Sequence, residues 1–310
     1  MKKRMLALLL AGMMLLSATA CDSREQPEVE EPEAPVETPA EPPKEEEKKP
    51  EEKPEEEEKE VELEIPDRKE QLKADIGKNP DIVGWLQIPD TKVDAPVVQG
   101  NDNNYYLRRT YYGENNKLGC YFADFEGTFG ATADDLMRNT VIYGHNIDYG
   151  AGAALFAPGA NVGTDEVDEK DGERFSQLFH YADIEWAKEH PYLYFHMPEE
   201  ELTWEVFAVS YVPTNFNYIQ ILKDSKVSKT EQITPEQMMT IVEGARARSE
   251  YDYDVEVNED DKILTLSTCT YKYGKNSNIR FIIMAKLVTE DDTLVETANI
   301  TPNVDKIAVK

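Results

Sequence analysis

Eight short runs of aliphatic and aromatic residues divide the chain beyond residue 80, and turn-forming Gly, Pro, Asn and Asp residues separate them. Runs of this length with such boundaries are typical of β-strands. The runs cover residues 82–88, 95–98, 119–123, 140–143, 192–196, 202–213, 263–268 and 279–288. Many short strands with few helices indicate a mixed β-barrel.

Two other segments carry helical patterns. Residues 67–76 contain helix-forming residues with Leu72 and Ile76 one turn apart, and a Gly and a Pro follow as stop signals. Residues 235–248 carry apolar side chains at helical spacing and precede the last two strands. The sequence therefore predicts a mainly β fold with a short N-terminal helix and a crossover helix.

The first 21 residues have the pattern of an export signal. A basic start is followed by an apolar core at residues 5–16 and by small residues before Cys21. That core is shorter than the roughly 20 residues that cross a membrane. The small residues resemble a bacterial lipoprotein cleavage site, which would make Cys21 the lipidated N-terminus, although Ala18 stands where Leu is usual. An uncleaved membrane anchor is the alternative, and both place the rest of the chain on the outer face of the cytoplasmic membrane.

Residues 22–65 differ sharply in composition from the rest of the chain. They contain 20 acidic and 6 basic residues and 8 of the 18 prolines. Such a segment buries too little apolar surface to offset its ordering entropy, so we expect a disordered linker. Residues 66–310 then form one catalytic domain. The net charge of −29 argues against a nucleic-acid partner, because phosphate binding needs clustered Lys and Arg.

One thiol, one imidazole and one guanidinium stand at the ends of predicted strands. Cys269 ends the segment Thr-Leu-Ser-Thr-Cys, and His145 follows the run 140–143 with one Gly between. Arg280 lies eleven residues beyond the thiol, at the start of the last run. Cys269 is therefore a candidate nucleophile, with His145 as proton donor and Arg280 as a fixed cation.

The order His, Thr-Leu-Ser-Thr-Cys, Arg resembles the sortases, and several segments resemble class B members of that family. These segments are Asp-Ile-Val-Gly-Trp-Leu-Gln-Ile-Pro-Asp at 81–90, Asn-Asn-Tyr-Tyr-Leu at 103–107 and Glu-Val-Asn-Glu-Asp-Asp-Lys at 256–262. The similarity extends over residues 79–288. It implies a closed eight-stranded sortase barrel with helical additions.

The resemblance also implies a cysteine transpeptidase. Cys269 would attack the carbonyl of the Thr in a C-terminal sorting signal and form a thioester. His145 would protonate the leaving amine, and Arg280 would donate to the substrate backbone or the oxyanion. An amine of peptidoglycan or of a pilin lysine would resolve the thioester. The expected partners are a sorting-signal-bearing surface protein or pilin and this amine acceptor, with no cofactor.

Four further residues resemble positions that contact substrate in class B sortases. They are Asn103, Leu107, Ser267 and Thr268. A packing role stays open for each, because polar strand residues and a Leu beside a Tyr pair often serve packing alone. The class B resemblance implies a sorting motif of the Asn-Pro-x-Thr or Ser-Pro-x-Thr kind. Wall anchoring and pilus assembly are both open.

The remaining titratable groups favour structural roles. His180, His190 and His196 have aromatic neighbours in the sequence, which indicates packing or a surface loop, and Cys120 is interpreted as a buried strand residue. The scattered thiols and imidazoles lack the spacing of metal ligands, so we expect no metal site. Residues 150–172, rich in Gly, Ala and Asp, are interpreted as an insertion after the histidine, which is either a plain surface loop or a lid or substrate wall beside the site.

Three alternative functions stay open at this point. An L,D-transpeptidase also uses Cys and His outside the cytoplasm, but its arginine follows the thiol by two residues rather than eleven. Papain-like wall peptidases place Cys before His, and here the order is reversed. A lipoprotein binding module or inactive sortase-like protein would bind wall or pilin fragments without turnover, although the full set of reactive residues is present.

Overall fold

The computed structural model describes residues 61, 63–147, 168–219, 233–274 and 277–309, all within the unit Glu58–Lys310. Across these residues, eight strands close into a barrel. The strands are β1 (Ile82–Gln87), β2 (Asp94–Val98), β3 (Tyr121–Ala123), β4 (Asn139–Tyr143), β7 (Tyr192–His196), β8 (Thr203–Pro213), β10 (Ile263–Cys269) and β11 (Ile279–Leu287). Their order around the barrel is β1-β2-β3-β4-β10-β11-β8-β7. The predicted closed eight-stranded barrel is confirmed, and each predicted run supplies one strand.

Four short strands lie outside the barrel and have no sequence signal. They are β5 (Asn146–Ile147), β6 (Glu173–Arg174), β9 (Tyr251–Tyr253) and β12 (Ile300–Pro302). Strand β5 pairs with β6, and β9 pairs with β12. Ladders of two or three residues are too short to show the period-two pattern that reveals a longer strand. Strand β5 begins directly after His145.

Several predicted segments lie outside the described residues. They are the leader 1–21 with Cys21, most of the linker 22–65 and most of the insertion 150–172. The boundaries of these segments, and of the domain 66–310, stay predictions. In the part of the chain that the structure describes, no helix has both the length and the apolar character needed to cross a bilayer.

Both predicted helices are present. The N-terminal helix Lys69–Ile76 buries Leu72 against Ile82 and Trp85 of β1. The crossover helix Pro235–Arg246 begins with a capping box, in which Thr234 Oγ1 accepts from the Gln237 N–H at 3.2 Å. Its buried residues are Met238, Ile241, Val242 and Ala245. Shorter helical turns occur at Tyr105–Arg108, Ala133–Asp135, Phe175–Ala182 and Ile184–Glu189.

The alternation of side chains along β10 decides which residues reach the site. Leu264 and Leu266 belong to the main core of the barrel, whereas Ile263 packs in the cluster that contains the crossover helix. Successive side chains of a strand point to opposite faces. The thiol of Cys269 therefore shares the face of Ile263, and Thr268 shares the face of the barrel core.

Candidate active site

Strands β4 and β10 run parallel and carry the candidate imidazole and thiol at the same end. Their paired residues end with Ser267 opposite Tyr143, and His145 and Cys269 each follow two residues later. Two hydrogen bonds connect β4 and β10 beyond the last paired residues of the ladder. The Gly144 N–H donates to the Ser267 carbonyl at 3.3 Å, and Thr268 Oγ1 donates to the Gly144 carbonyl at 2.7 Å. Neighbouring parallel strands therefore bring together two residues that lie 124 positions apart in the sequence.

Gly144 is required between the strand and the histidine by a close approach. A Cβ atom at this position would lie 2.7 Å from a ring carbon of Phe175, whose ring is fully buried. Side chains other than hydrogen therefore clash here. The Phe175 N–H donates to the His145 carbonyl at 2.8 Å, so the same residue that excludes a side chain also fixes the backbone of the histidine.

The guanidinium joins the thiol through the antiparallel pair β10–β11. Cys269 lies directly opposite Arg280 in the ladder, so both side chains project from the same face. Arg280 Nη1 donates to the carbonyl of Ile279 at 2.9 Å. The other guanidinium N–H groups supply the donor capacity that a developing oxyanion requires.

One cavity of about 400 Å³ contains all three candidate catalytic residues. Cys269 is exposed, and it is a free cysteine. The cavity is lined by Asn103, Leu107, Phe122, Tyr143, Gly144, His145, Thr214, Phe216, Asn217, Tyr218, Ile219, Ser267, Thr268, Cys269 and Arg280. All seven residues that the sequence assigned to catalysis or substrate contact therefore line a common cavity.

The contacts of His145 determine which of its nitrogens is available. Nε2 lies 2.8 Å from the carbonyl oxygen of Leu107, and a carbonyl only accepts, so Nε2 carries a hydrogen and Nδ1 is the basic nitrogen of the neutral ring. Burial lowers the pKa of His145. The bond to Leu107 opposes that shift, whereas the cations Arg108 and Arg174 lower the pKa further.

Three of the four residues predicted to contact substrate have their polar side-chain atoms committed within the protein. Asn103 Nδ2 donates to Asp124 at 2.9 Å, and its Oδ1 accepts from the Phe125 N–H at 2.9 Å. Ser267 Oγ lies 2.8 Å from Tyr218 Oη. The Thr268 hydroxyl donates to the Gly144 carbonyl at 2.7 Å, so its hydrogen is not available to a substrate. The substrate role of these residues stays a prediction.

Sequence reasoning missed the aromatic walls of the cavity. Phe122 and Tyr143 lie on β3 and β4, while Phe216 and Tyr218 follow the end of β8. Tyr143 Oη donates to Asp124 at 2.7 Å, the same carboxylate that holds Asn103. The available signal was a pair of aromatic residues, Phe216 and Tyr218, in the polar stretch after residue 213. This stretch lies outside the predicted strands, so its aromatic residues were not considered as part of the site.

The other three histidines have structural surroundings. His190 stacks on Trp186 with ring centroids 3.8 Å apart, and His196 is buried in β7. Within the described residues, the cavity lining contains His145 and none of the other three. Cys120 is buried immediately before β3, and burial raises its pKa to about 12. Among the same residues, no group of three or more His, Cys, Asp or Glu side chains is arranged to hold a metal ion.

The sequence model of the sortase domain family matches residues 86–288, about two thirds of the chain. The chain belongs to the sortase family. Sortase B of Listeria monocytogenes is 32% identical over 212 residues, which cover 68% of this chain and 72% of that protein. Sortase B of Staphylococcus aureus is 24% identical over 210 residues. These relatives support assignment of this sortase to class B and to the cysteine transpeptidases.

Solved structures agree with the barrel of this sortase. The sortase B–substrate complex from Staphylococcus aureus gives a TM-score of 0.53 at 25% identity, over 72% of this chain and 87% of that chain. Sortase B from Clostridium perfringens gives 0.53 at 25% identity, over 70% of this chain and 99% of that chain. Sortases act outside the cytoplasm.

Proposed function

We propose that Cys269, His145 and Arg280 carry out acyl transfer from a C-terminal sorting signal in this sortase. The observation that carries the proposal is the single cavity that holds an exposed thiol, an imidazole and a guanidinium. In the first step, the Cys269 thiolate attacks the Thr carbonyl, and the bond from that carbonyl to the leaving amine breaks. His145 gives a proton to the amine, and Arg280 stabilises the oxyanion.

The second step reverses these roles with a different amine. The acceptor nitrogen bonds to the thioester carbonyl, the carbon–sulfur bond breaks, and His145 takes the proton that the new amide releases. Proton transfer uses Nδ1, because Nε2 is bonded to Leu107. Burial lowers the pKa of His145 and so favours the neutral imidazole, which must gain a proton before it can give one to the leaving amine.

The lining of the cavity supports the proposal that the donor substrate is a short extended peptide. Apolar walls from Leu107, Phe122 and Ile219 surround a few polar groups, which is the arrangement expected of a selective pocket. By resemblance to class B sortases, we propose a motif of the Asn-Pro-x-Thr or Ser-Pro-x-Thr kind on a surface protein or pilin. The acceptor is a primary amine of a peptidoglycan precursor or a pilin lysine.

The N-terminal region is proposed to hold the enzyme on the outer face of the cytoplasmic membrane. The leader with Cys21 supports attachment through a lipid or through an uncleaved anchor, and residues 22–65 supply a spacer. Mass spectrometry of the membrane fraction distinguishes the two forms. A diacylated peptide that begins at Cys21 supports lipidation, whereas an intact Met1 peptide supports the uncleaved anchor.

The catalytic proposal is tested with the full chain and internally quenched peptides that carry Asn-Pro-x-Thr or Ser-Pro-x-Thr with x randomised. We expect cleavage after Thr, an acyl adduct on Cys269 by intact-mass spectrometry, and a transpeptidation product when lysine amide is added. Cys269→Ala should abolish turnover, and Arg280→Lys should retain the charge but lose the planar fork and most of kcat. Cleavage that persists in Cys269→Ala would refute the assignment.

A further inference from the structure

Asp168 joins the two chain segments that follow the candidate catalytic His and Cys. Its Oδ1 accepts from Asn146 Nδ2 and from the Tyr271 N–H, both at 2.8 Å. Its Oδ2 accepts from Thr270 Oγ1 at 2.6 Å and from the Lys272 N–H at 3.3 Å. The described residues thus direct four donors at one carboxylate, one from the segment after His145 and three from the segment after Cys269.

Asn146 completes the connection to the thiol residue itself. The second hydrogen of its Nδ2 donates to the carbonyl of Cys269 at 3.1 Å. Its backbone lies in β5, which pairs with β6, and the side chain is buried. Asp168 therefore fixes an amide that links position 146 to the backbone of the nucleophile, and it also fixes the first three residues after the nucleophile.

A carboxylate suits this position for a physical reason. An ionised carboxylate only accepts, and both of its oxygens can each take two hydrogen bonds, so it satisfies all four donors at once. Hydrogen bonds to a charged acceptor are also stronger than those between neutral groups. An amide at position 168 would turn an NH₂ group toward two of these donors and lose the charge.

We propose that Asp168 is a positioning residue for the reaction, which holds Cys269 and His145 in register at the mouth of the cavity. The inference rests on the proposed roles of Cys269 and His145. Asp168 itself contacts neither the thiol nor the imidazole, and it acts through Asn146 and through the turn at residues 270–272. It lies near the end of the insertion at residues 150–172, so at least one residue of that insertion serves the site.

The test compares Asp168→Asn with Asp171→Asn in the full chain. Asp171 lies three residues away, and its side chain is 73% exposed, so its substitution makes the same change in charge without affecting the bonds around Cys269. With a quenched Asn-Pro-x-Thr or Ser-Pro-x-Thr peptide, Asp168→Asn should lower kcat roughly 10- to 100-fold and leave KM nearly unchanged, because misplacement of about 1 Å has effects of this size. Asp168→Glu, which restores the charge, should recover part of the loss.

A second measurement separates positioning from the chemistry of the thiol. Alkylation by iodoacetamide requires only an accessible sulfur, and the tryptic peptide Ile263–Lys272 reports on Cys269 alone. We expect Cys269 of the Asp168→Asn variant to be alkylated at nearly the wild-type rate, although the kcat of the variant is low. Its circular dichroism spectrum should be that of the native fold. A kcat equal to that of Asp171→Asn, or a change confined to KM, would overturn the proposal. If Cys269→Ala is inactive and Asp168→Asn keeps its full kcat, only the inference about Asp168 is rejected. If Cys269→Ala is active, the assignment of the nucleophile is rejected.

Discussion

Replacement of Thr268 with Val tests the hydrogen bond that connects β10 to β4 at Gly144. The Thr268 hydroxyl donates to the buried Gly144 carbonyl at 2.7 Å, and Val retains the branched shape without the donor. An unsatisfied buried acceptor costs about 1–3 kcal/mol of unfolding free energy. In a domain of this size, that cost corresponds to a decrease in Tm of roughly 2–12 °C. Thermal unfolding followed by circular dichroism measures this change.

The effect on catalysis should exceed the effect on stability, because Gly144 immediately precedes His145. A shift of about 1 Å at a reacting group costs up to roughly 100-fold in rate. We therefore expect kcat of Thr268→Val to fall about 10- to 100-fold at a temperature well below its Tm. Initial rates with the quenched sorting peptide provide the assay.

Ser210→Ala is the matched control for this substitution. Ser210 is fully buried, and its hydroxyl donates to the carbonyl of Ala245 at 2.8 Å, which links β8 to the crossover helix. This variant should lose a similar amount of Tm and retain its kcat. Equal losses of kcat in the two variants would refute the reasoning, as would an unchanged kcat in Thr268→Val despite its lower Tm.

Three further predictions concern titratable groups. The charge of Arg108 lowers the pKa of His145, so Arg108→Gln should move the acid limb of the kcat/KM profile to higher pH at low salt, and an unmoved limb would contradict this electrostatic effect. Burial lowers the pKa of His196 to about 4 from a usual value near 6.5, so this residue should remove about 2 kcal/mol of stability as the pH falls from 8 to 5. Urea unfolding of His196→Gln should lack that part of the pH dependence. Iodoacetamide at pH 8 should label Cys269 and spare Cys120, and equal labelling would contradict the burial of Cys120.

The barrel and the neighbouring positions of Cys269 and Arg280 could be predicted because their signals are local. Each barrel strand has its own apolar run with turn residues on both sides. Cys269 and Arg280 end and begin consecutive strands, so a simple hairpin already makes them neighbours. The position of His145 required the parallel pairing of β4 with β10, which connects distant segments, and the resemblance to sortases supplied that information.

The contacts that surround the three candidate catalytic residues could not be predicted because they depend on long-range packing. In the sequence, Asp168 is one of several acidic residues in the insertion at residues 150–172, and nothing local distinguishes it from Asp171. The commitment of Asn103 to Asp124 depends in the same way on residues 21 positions apart. Short ladders such as β5–β6 are likewise formed by tertiary contacts rather than by their own residues.

Strand register holds Cys269 opposite Arg280, and residues 270–278 connect β10 to β11 in the sequence. One residue inserted within β10 would turn every later side chain of that strand to the opposite face and separate the pair. Residues inserted between positions 272 and 279 would lengthen this connection and leave the pair in place. The eleven-residue separation of Cys269 and Arg280 therefore reflects the length of a connection that can vary. A sequence motif that requires this same separation would miss homologues with the same chemistry.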